Sequence, residues 1–206
     1  ILIFVEGPSD KVFLEAYLYF LEDIPIKNFK VKDVTGKDNL SKRLLEIEKY
    51  DKTLIIFDAD KDYESNKKEI LSKTQQKITE EQIFLFPNNQ DDGDLETLLL
   101  EIAKHDEFLK CFEGYLECIK SKEHYKPIKN ISKSKWYAYL EVFELQNFFK
   151  DKRNKNDKKN EEKIIIDDKG KIRKEYKEEY EKLKEVIDFN SNSLIPLKDF
   201  LGQFAK

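Results

Sequence analysis

Methionine is absent from the 206 residues and tryptophan occurs once. A chain this long ordinarily carries several methionines, so the sequence is expected to begin after an initiator or to lack some residues of the full chain. Cysteine is almost as scarce, with only Cys111 and Cys118, and the histidines are only His105 and His124. Two cysteines make no disulfide framework, and neither has a cysteine or histidine partner at zinc spacing. The pattern suits a reduced, cytoplasmic protein. It also argues against a histidine-rich metal site and against a Ser-His-Asp triad. No apolar run approaches the roughly 18 residues of a membrane span, so no membrane partner is expected. The opening run Ile1–Val5 is too short for a signal peptide and meets Glu6-Gly7 at once.

What the chain has is charge and aromatic bulk. Charged and hydrophobic residues each make up 39%, and 15 Phe and 10 Tyr supply enough apolar surface for a real core. The length fits one domain, or one with a smaller attachment. The net charge of −4 carries no global signature of nucleic-acid binding. Of the 38 basic residues only Arg43, Arg153 and Arg173 are arginines. That bias matches the codon drift of an AT-rich genome, which lowers the weight of any one lysine as a phosphate ligand.

Residues 1–104 alternate between short apolar runs and helical spacing. Ile1–Val5 and Thr53–Phe57 are apolar almost throughout, which suits strands buried on both faces. Ser9 or Asp10 is placed to cap a helix carrying Val12, Phe13, Ala16, Tyr17 and Phe20 at helical spacing. Phe29–Val34 and Ile83–Phe86 read as two further strands, the last stopped by Pro87. Leu40–Tyr50 reads as a helix with Leu44, Leu45 and Ile47 inward, and about Leu95–Lys104 as another. This alternation predicts an α/β fold with a mostly parallel sheet and helices on both faces.

Residues 105–206 differ. Helices rich in aromatics are expected through 106–149, with Trp136 and its neighbours packing as core. Cys111 and Cys118, seven apart, are expected to share a helix face as small apolar residues. A charged, solvated and mobile loop is expected near 150–162, because Lys150–Asn160 holds six basic residues, two acidic ones and nothing apolar. Lys163–Lys171 reads as a strand and turn, Glu175–Glu185 as a charged helix, and Leu194–Phe204 as a closing helix.

Acidic residues follow three of the predicted strands: Glu6 after the first, Asp58 and Asp60 after the third, and Asp91, Asp92 and Asp94 after the fourth. Ligands of parallel sheets bind at the carboxyl ends of strands. Carboxylates converging there repel one another, and a hard divalent cation such as Mg²⁺ or Mn²⁺ relieves the repulsion through oxygen ligands. On extended backbone Asp58 and Asp60 would face the same side and share one ion. Plain structural readings stand beside this one: Asp10 and Asp94 as helix caps or first-turn acids, Asp62 and Glu64 as surface charges, with Glu6-Gly7 or Asp58-Ala59-Asp60 alone a weak motif. Lys11 and Lys37 lie near strand ends and could touch phosphate, although in so lysine-rich a chain the surface reading weighs more.

Phe4-Val5-Glu6-Gly7-Pro8-Ser9-Asp10, followed by Phe13-Leu14 and then Leu54-Ile55-Ile56-Phe57-Asp58-Ala59-Asp60, resembles the Toprim superfamily of topoisomerase, primase and nuclease domains. The stretch Phe86–Glu96 and the tail around Asp188-Phe189 and Leu194–Leu201 resemble a small stand-alone Toprim-like family related to the overcoming-lysogenisation-defect nucleases. The resemblance covers about 1–104 well and implies a Toprim-like core there, with 105–206 as a helical C-terminal elaboration. It implies Glu6 as the general acid or base and Asp58 and Asp60 as Mg²⁺ ligands. Asp10, four positions after the Glu, stands where the lysogenisation-defect nucleases carry another metal ligand. Asp91, Asp92 and Asp94, with Lys11 and Lys37, would sit around that site. The sequence shows no attached ATPase domain, zinc ribbon or DNA-gripping module, and no tyrosine stands out as a topoisomerase nucleophile.

The function expected is Mg²⁺-dependent phosphodiester chemistry on nucleic acid, as a nuclease. The alternative is a non-catalytic Toprim module that binds metal or nucleotide as a subunit of a larger nucleic-acid-processing assembly. Primase-like nucleotidyl transfer fits the fold but lacks a template-gripping domain. The implied partners are nucleic acid or nucleotide, with a homo-oligomer or larger complex compatible with the sequence.

Overall fold

The structure, a computed structural model, describes residues 1–21, 29–149 and 174–205. Four strands, β1 (Leu2–Val5), β2 (Lys30–Asp33), β3 (Thr53–Asp58) and β4 (Ile83–Phe86), form one sheet in the order β2-β1-β3-β4. All three pairings are parallel, with Leu2 opposite Thr53 and Val5 opposite Ile56 in the central pair. The two most apolar runs therefore lie adjacent in the middle of the sheet, where both faces need covering.

Alternation along the strands sorts side chains into two buried clusters. Ile3, Val5, Leu54, Ile56, Phe84 and Phe86 face helix α1 (Pro8–Phe20), and Leu2, Phe4, Ile55, Phe57, Ile83 and Leu85 face the opposite side. That opposite side is closed by Leu40 and Ile47 from the β2–β3 connection and by Ile70 of helix α3 (Tyr63–Lys73). The fold is thus α/β and Toprim-like, with helices on both faces of a parallel sheet. The strand order reverses between β1 and β3, which opens the crevice where parallel sheets take ligands.

The C-terminal helices join the first cluster. Helices α4 (Leu95–Glu101), α5 (Asp106–Lys120), α6 (Ile131–Val142), α7 (Lys174–Val186) and α8 (Ile195–Gly202) follow β4. Trp136, Tyr139, Leu140, Tyr180, Leu197 and Leu201 share one buried cluster with Ile3 and Phe84. Trp136 is 1% exposed, stacked on Tyr139 and edge-on to Phe149, so it packs as core as the sequence predicts.

Some expectations change in detail. The predicted helix Leu40–Tyr50 is a 3₁₀ segment, Lys37–Arg43, running into the four-residue α2 (Leu44–Ile47). Leu45 is 75% exposed rather than inward. Leu40 of the 3₁₀ segment and Ile47 of α2 reach the sheet, and Leu45 turns outward. Cys111 and Cys118 are free and exposed on α5, which packs on the core through Phe108 and Leu109. The predicted loop near 150–162 and the strand and turn at Lys163–Lys171 lie outside the described residues. Among the described residues no helix is long and apolar enough to cross a membrane.

Candidate functional site

β1 ends at Val5, so Glu6 emerges at the carboxyl edge of the sheet beside the end of β3. Its Oε2 is buried and has no hydrogen-bond partner. Burial raises the Glu6 carboxyl above its ordinary range; the Lys37 ammonium partly offsets this, while Asp60 adds to it.

Helix α1 starts at Pro8, directly after Gly7, with proline in the first turn, where its missing N–H costs nothing. Asp10 stands three residues into α1, and its Oδ2 accepts the Gly7 N–H at 2.7 Å. This back-bond closes the helix start from within the first turn, so Asp10 is a first-turn acid and Gly7, rather than Ser9 or Asp10, is the N-cap. Asp10 is only 7% exposed, and burial pushes it up to about 7 despite that bond, with Glu96 and Glu6 adding to the rise.

Asp58 closes β3, and its Oδ1 accepts the N–H of Leu95, the first residue of α4, at 2.9 Å. The carboxylate thereby ties the helix start to the sheet edge. It is nevertheless held well above the usual carboxylate range, chiefly by burial and then by the charges of Asp10 and Glu6. Three sequence-predicted acids, Glu6, Asp10 and Asp58, therefore feel one another at the point where the strand order reverses.

The fourth member of this group is Glu96, which the sequence reading quotes only as part of a motif. It is 8% exposed in the first turn of α4; burial raises its carboxyl, and Lys133 of α6, 3.9 Å from its Oε1, partly offsets the rise. The available signal is its place two residues after the last acid of a strand-end acidic loop. Helical side chains lean toward the helix N-terminus, so this one leans back toward the sheet edge.

Asp60 takes a different direction. Its φ is +55°, so the extended backbone expected across Asp58-Ala59-Asp60 turns instead, and the two aspartates contact different elements. Asp60 exchanges backbone hydrogen bonds of 2.7 Å with Gly93 in both directions. Its carboxylate pairs with Lys37, whose Nζ also donates to Asn66 Oδ1 at 2.6 Å.

Asp94 caps α4 by accepting the Thr97 N–H at 2.8 Å. Asp91 is exposed and accepts from Asn88 Nδ2, while Asp92 is exposed and accepts the Tyr63 N–H at the start of α3. Their hydrogen bonds fasten the loop itself. Lys11 follows Asp10 in α1 and is half-buried.

Among the described residues no three His, Cys, Asp or Glu side chains stand together in a set ready to hold a metal ion. The donors nevertheless fit a hard divalent cation in chemistry. They are all carboxylate oxygens, mutually repelling, and Glu6 Oε2 is buried without a partner.

The chain belongs to the family described as "Protein of unknown function (DUF3226)", whose model matches residues 1–205. No curated protein and no solved structure matches it.

Proposed function

We propose that this protein carries out Mg²⁺- or Mn²⁺-dependent phosphodiester chemistry on nucleic acid, as a nuclease of the Toprim type. The observation that carries the reading is the orphaned, buried Oε2 of Glu6 beside Asp58 and Asp10 at the β1/β3 switch point. Asp58, Asp60 and Asp10 would hold the cation. When bound, it supplies charge neutralisation for the phosphate and a more acidic water. Glu6 then has the proton-transfer role. Its burial raises the carboxyl above its ordinary range, the direction that makes a carboxyl a better proton acceptor. It would take the proton of the attacking water or hydroxyl and return one to the departing oxygen. Asp58 keeps its bond to the Leu95 N–H, which orients its other oxygen and fixes α4 against the site.

A second reading keeps the cation and drops the catalysis: a module that binds metal or nucleotide within a larger assembly. The acidic net charge and the engagement of Asp60 by Lys37 favour it.

Calorimetric Mn²⁺ titration combined with cleavage of labelled single-stranded and duplex DNA and RNA separates the two. The nuclease reading expects metal-dependent cleavage that chelator stops. Glu6→Gln should keep Mn²⁺ binding and lose turnover by about 10²–10⁴-fold, the usual share of a general acid or base. Metal binding without cleavage of any substrate would favour the binding module, and wild-type protein that takes no metal would sink both.

A further inference from the structure

Among the described residues, Lys37 is a basic side chain that pairs with Asp60 and also acts on Glu6. It opens the 3₁₀ segment after Gly36, and Gly36 N–H donates to the Glu6 carbonyl at 2.9 Å, so the turn is pinned to the end of β1. The Lys37 side chain is only 16% exposed, so its ammonium is largely withdrawn from solvent. Its ammonium pairs with the Asp60 carboxylate and donates to Asn66 Oδ1.

Asn66 is a built partner. It is 9% exposed in the second turn of α3, and its Nδ2 donates to the Ala59 carbonyl and to the Asp62 carbonyl at 3.1 Å. Both amide hydrogens are committed to the loop after β3, which leaves Oδ1 facing Lys37 in a fixed orientation. A buried amide with all its groups satisfied fixes geometry more firmly than a surface pair does. The loop carrying Asp60 and the ammonium facing it are thus held by one side chain.

We propose that Lys37 is a phosphate-binding residue, held by Asn66 as its positioning residue, and that in the metal-free protein its ammonium occupies Asp60 in place of the cation. The inference rests on the metal-dependent reading above and adds to it a named contact for the substrate phosphate. With a divalent cation on Asp60, the ammonium loses its carboxylate partner. It keeps the Asn66 bond and offers its remaining donors to an anion beside Glu6. Lysine is suited to this exchange because its ammonium is a compact point charge with three donors.

The two roles predict opposite signs for one substitution. Lys37→Gln removes the competing charge from Asp60, so Mn²⁺ alone should bind about fivefold tighter by calorimetry, the scale of one partly exposed ion pair. The same variant should bind a short single-stranded DNA, or its RNA counterpart, about tenfold more weakly in Ca²⁺, the loss of one charged hydrogen bond. The salt dependence should become shallower by about 0.7 in log–log slope, one phosphate contact fewer. Asn66→Ala should weaken oligonucleotide binding in the same direction, and the double variant should add little, as expected of coupled partners. Lys37→Arg, which keeps the charge, should restore part of the oligonucleotide affinity. A purely structural Lys37 would lower thermal stability without tightening Mn²⁺. Unchanged Mn²⁺ and oligonucleotide affinity in Lys37→Gln, with both present in the wild type, overturns this proposal and leaves the metal-dependent reading standing. Wild-type protein that binds neither overturns both.

Discussion

At the scale of single residues, the carboxylates at the sheet edge do two jobs whose energetics conflict. Asp10 closes the start of α1 and Asp58 the start of α4, so each has a structural bond that favours its charged form. Burial and the neighbouring acids outweigh those bonds and raise both groups. An isostere that keeps the acceptor and drops the charge separates the contributions. Asp58→Asn retains a carbonyl oxygen for the Leu95 N–H while removing one of the repelling charges. Its metal-free thermal midpoint at pH 8 should equal or exceed that of the wild type, by about 2–4 °C for each kcal/mol relieved. Metal-dependent cleavage should disappear in the same variant. A midpoint that falls by many degrees would show that the Asp58 charge stabilises α4 more than the cluster destabilises it. Undiminished cleavage would mean that the activity comes from elsewhere, a contaminant included.

Elements explain which parts of the site could be read from the sequence and which could not. Continuous apolar runs mark β1 and β3 as central strands, so the acids directly behind them, Glu6 and Asp58, fall at one sheet edge on the sequence pattern alone. Asp94 as the cap of α4 was equally legible, since its spacing to Thr97 is that of an N-cap. The direction of Asp60 was not legible, because a left-handed residue breaks the alternation on which the pattern argument depends. Glu96 is illegible for a related reason: its burial comes with α4 and α6 packing together, a long-range event that local spacing does not encode.

Gly93 is where these elements meet. It sits at φ +145°, bonds Asp60 in both directions, and would bring an added Cβ within 3.0 Å of Pro87 Cδ and 3.3 Å of Thr97 Oγ1. Gly93→Ala should therefore cost about 1–3 kcal/mol by denaturant unfolding, as strained backbone positions do. It should also weaken Mn²⁺ binding, because the strand-like bridge that sets Asp60 must shift. Loss of stability with metal affinity intact would place Asp60 outside the cation site.

For the whole molecule, the buried acids turn the site into a term in the stability of the fold. In the unfolded chain Asp and Glu titrate near pH 4, whereas Asp10 is pushed up to about 7 in the folded protein, and Asp58, Glu6 and Glu96 move in the same direction. Over the window between those values the folded state binds more protons than the unfolded state, so stability falls as pH rises. The contribution is complete below about pH 4 and is lost as pH climbs through about 7. Unrelated carboxylates paired with lysine, such as Asp38 with Lys73, titrate in the opposite sense and lose their contribution only in acid. Metal-free protein should thus be more stable near pH 5.5 than near pH 8, as followed by the fluorescence of Trp136, the single tryptophan, buried in the cluster that α6 shares with the sheet. Mg²⁺ or Mn²⁺ should raise the midpoint at pH 8 far more than at pH 5.5, because a cation binds the deprotonated carboxylates and protons compete with it at lower pH. A midpoint flat between pH 5.5 and 8 in chelator, or a metal effect equal at both, would show that these carboxylates are already compensated within the protein and are not held in wait for a cation.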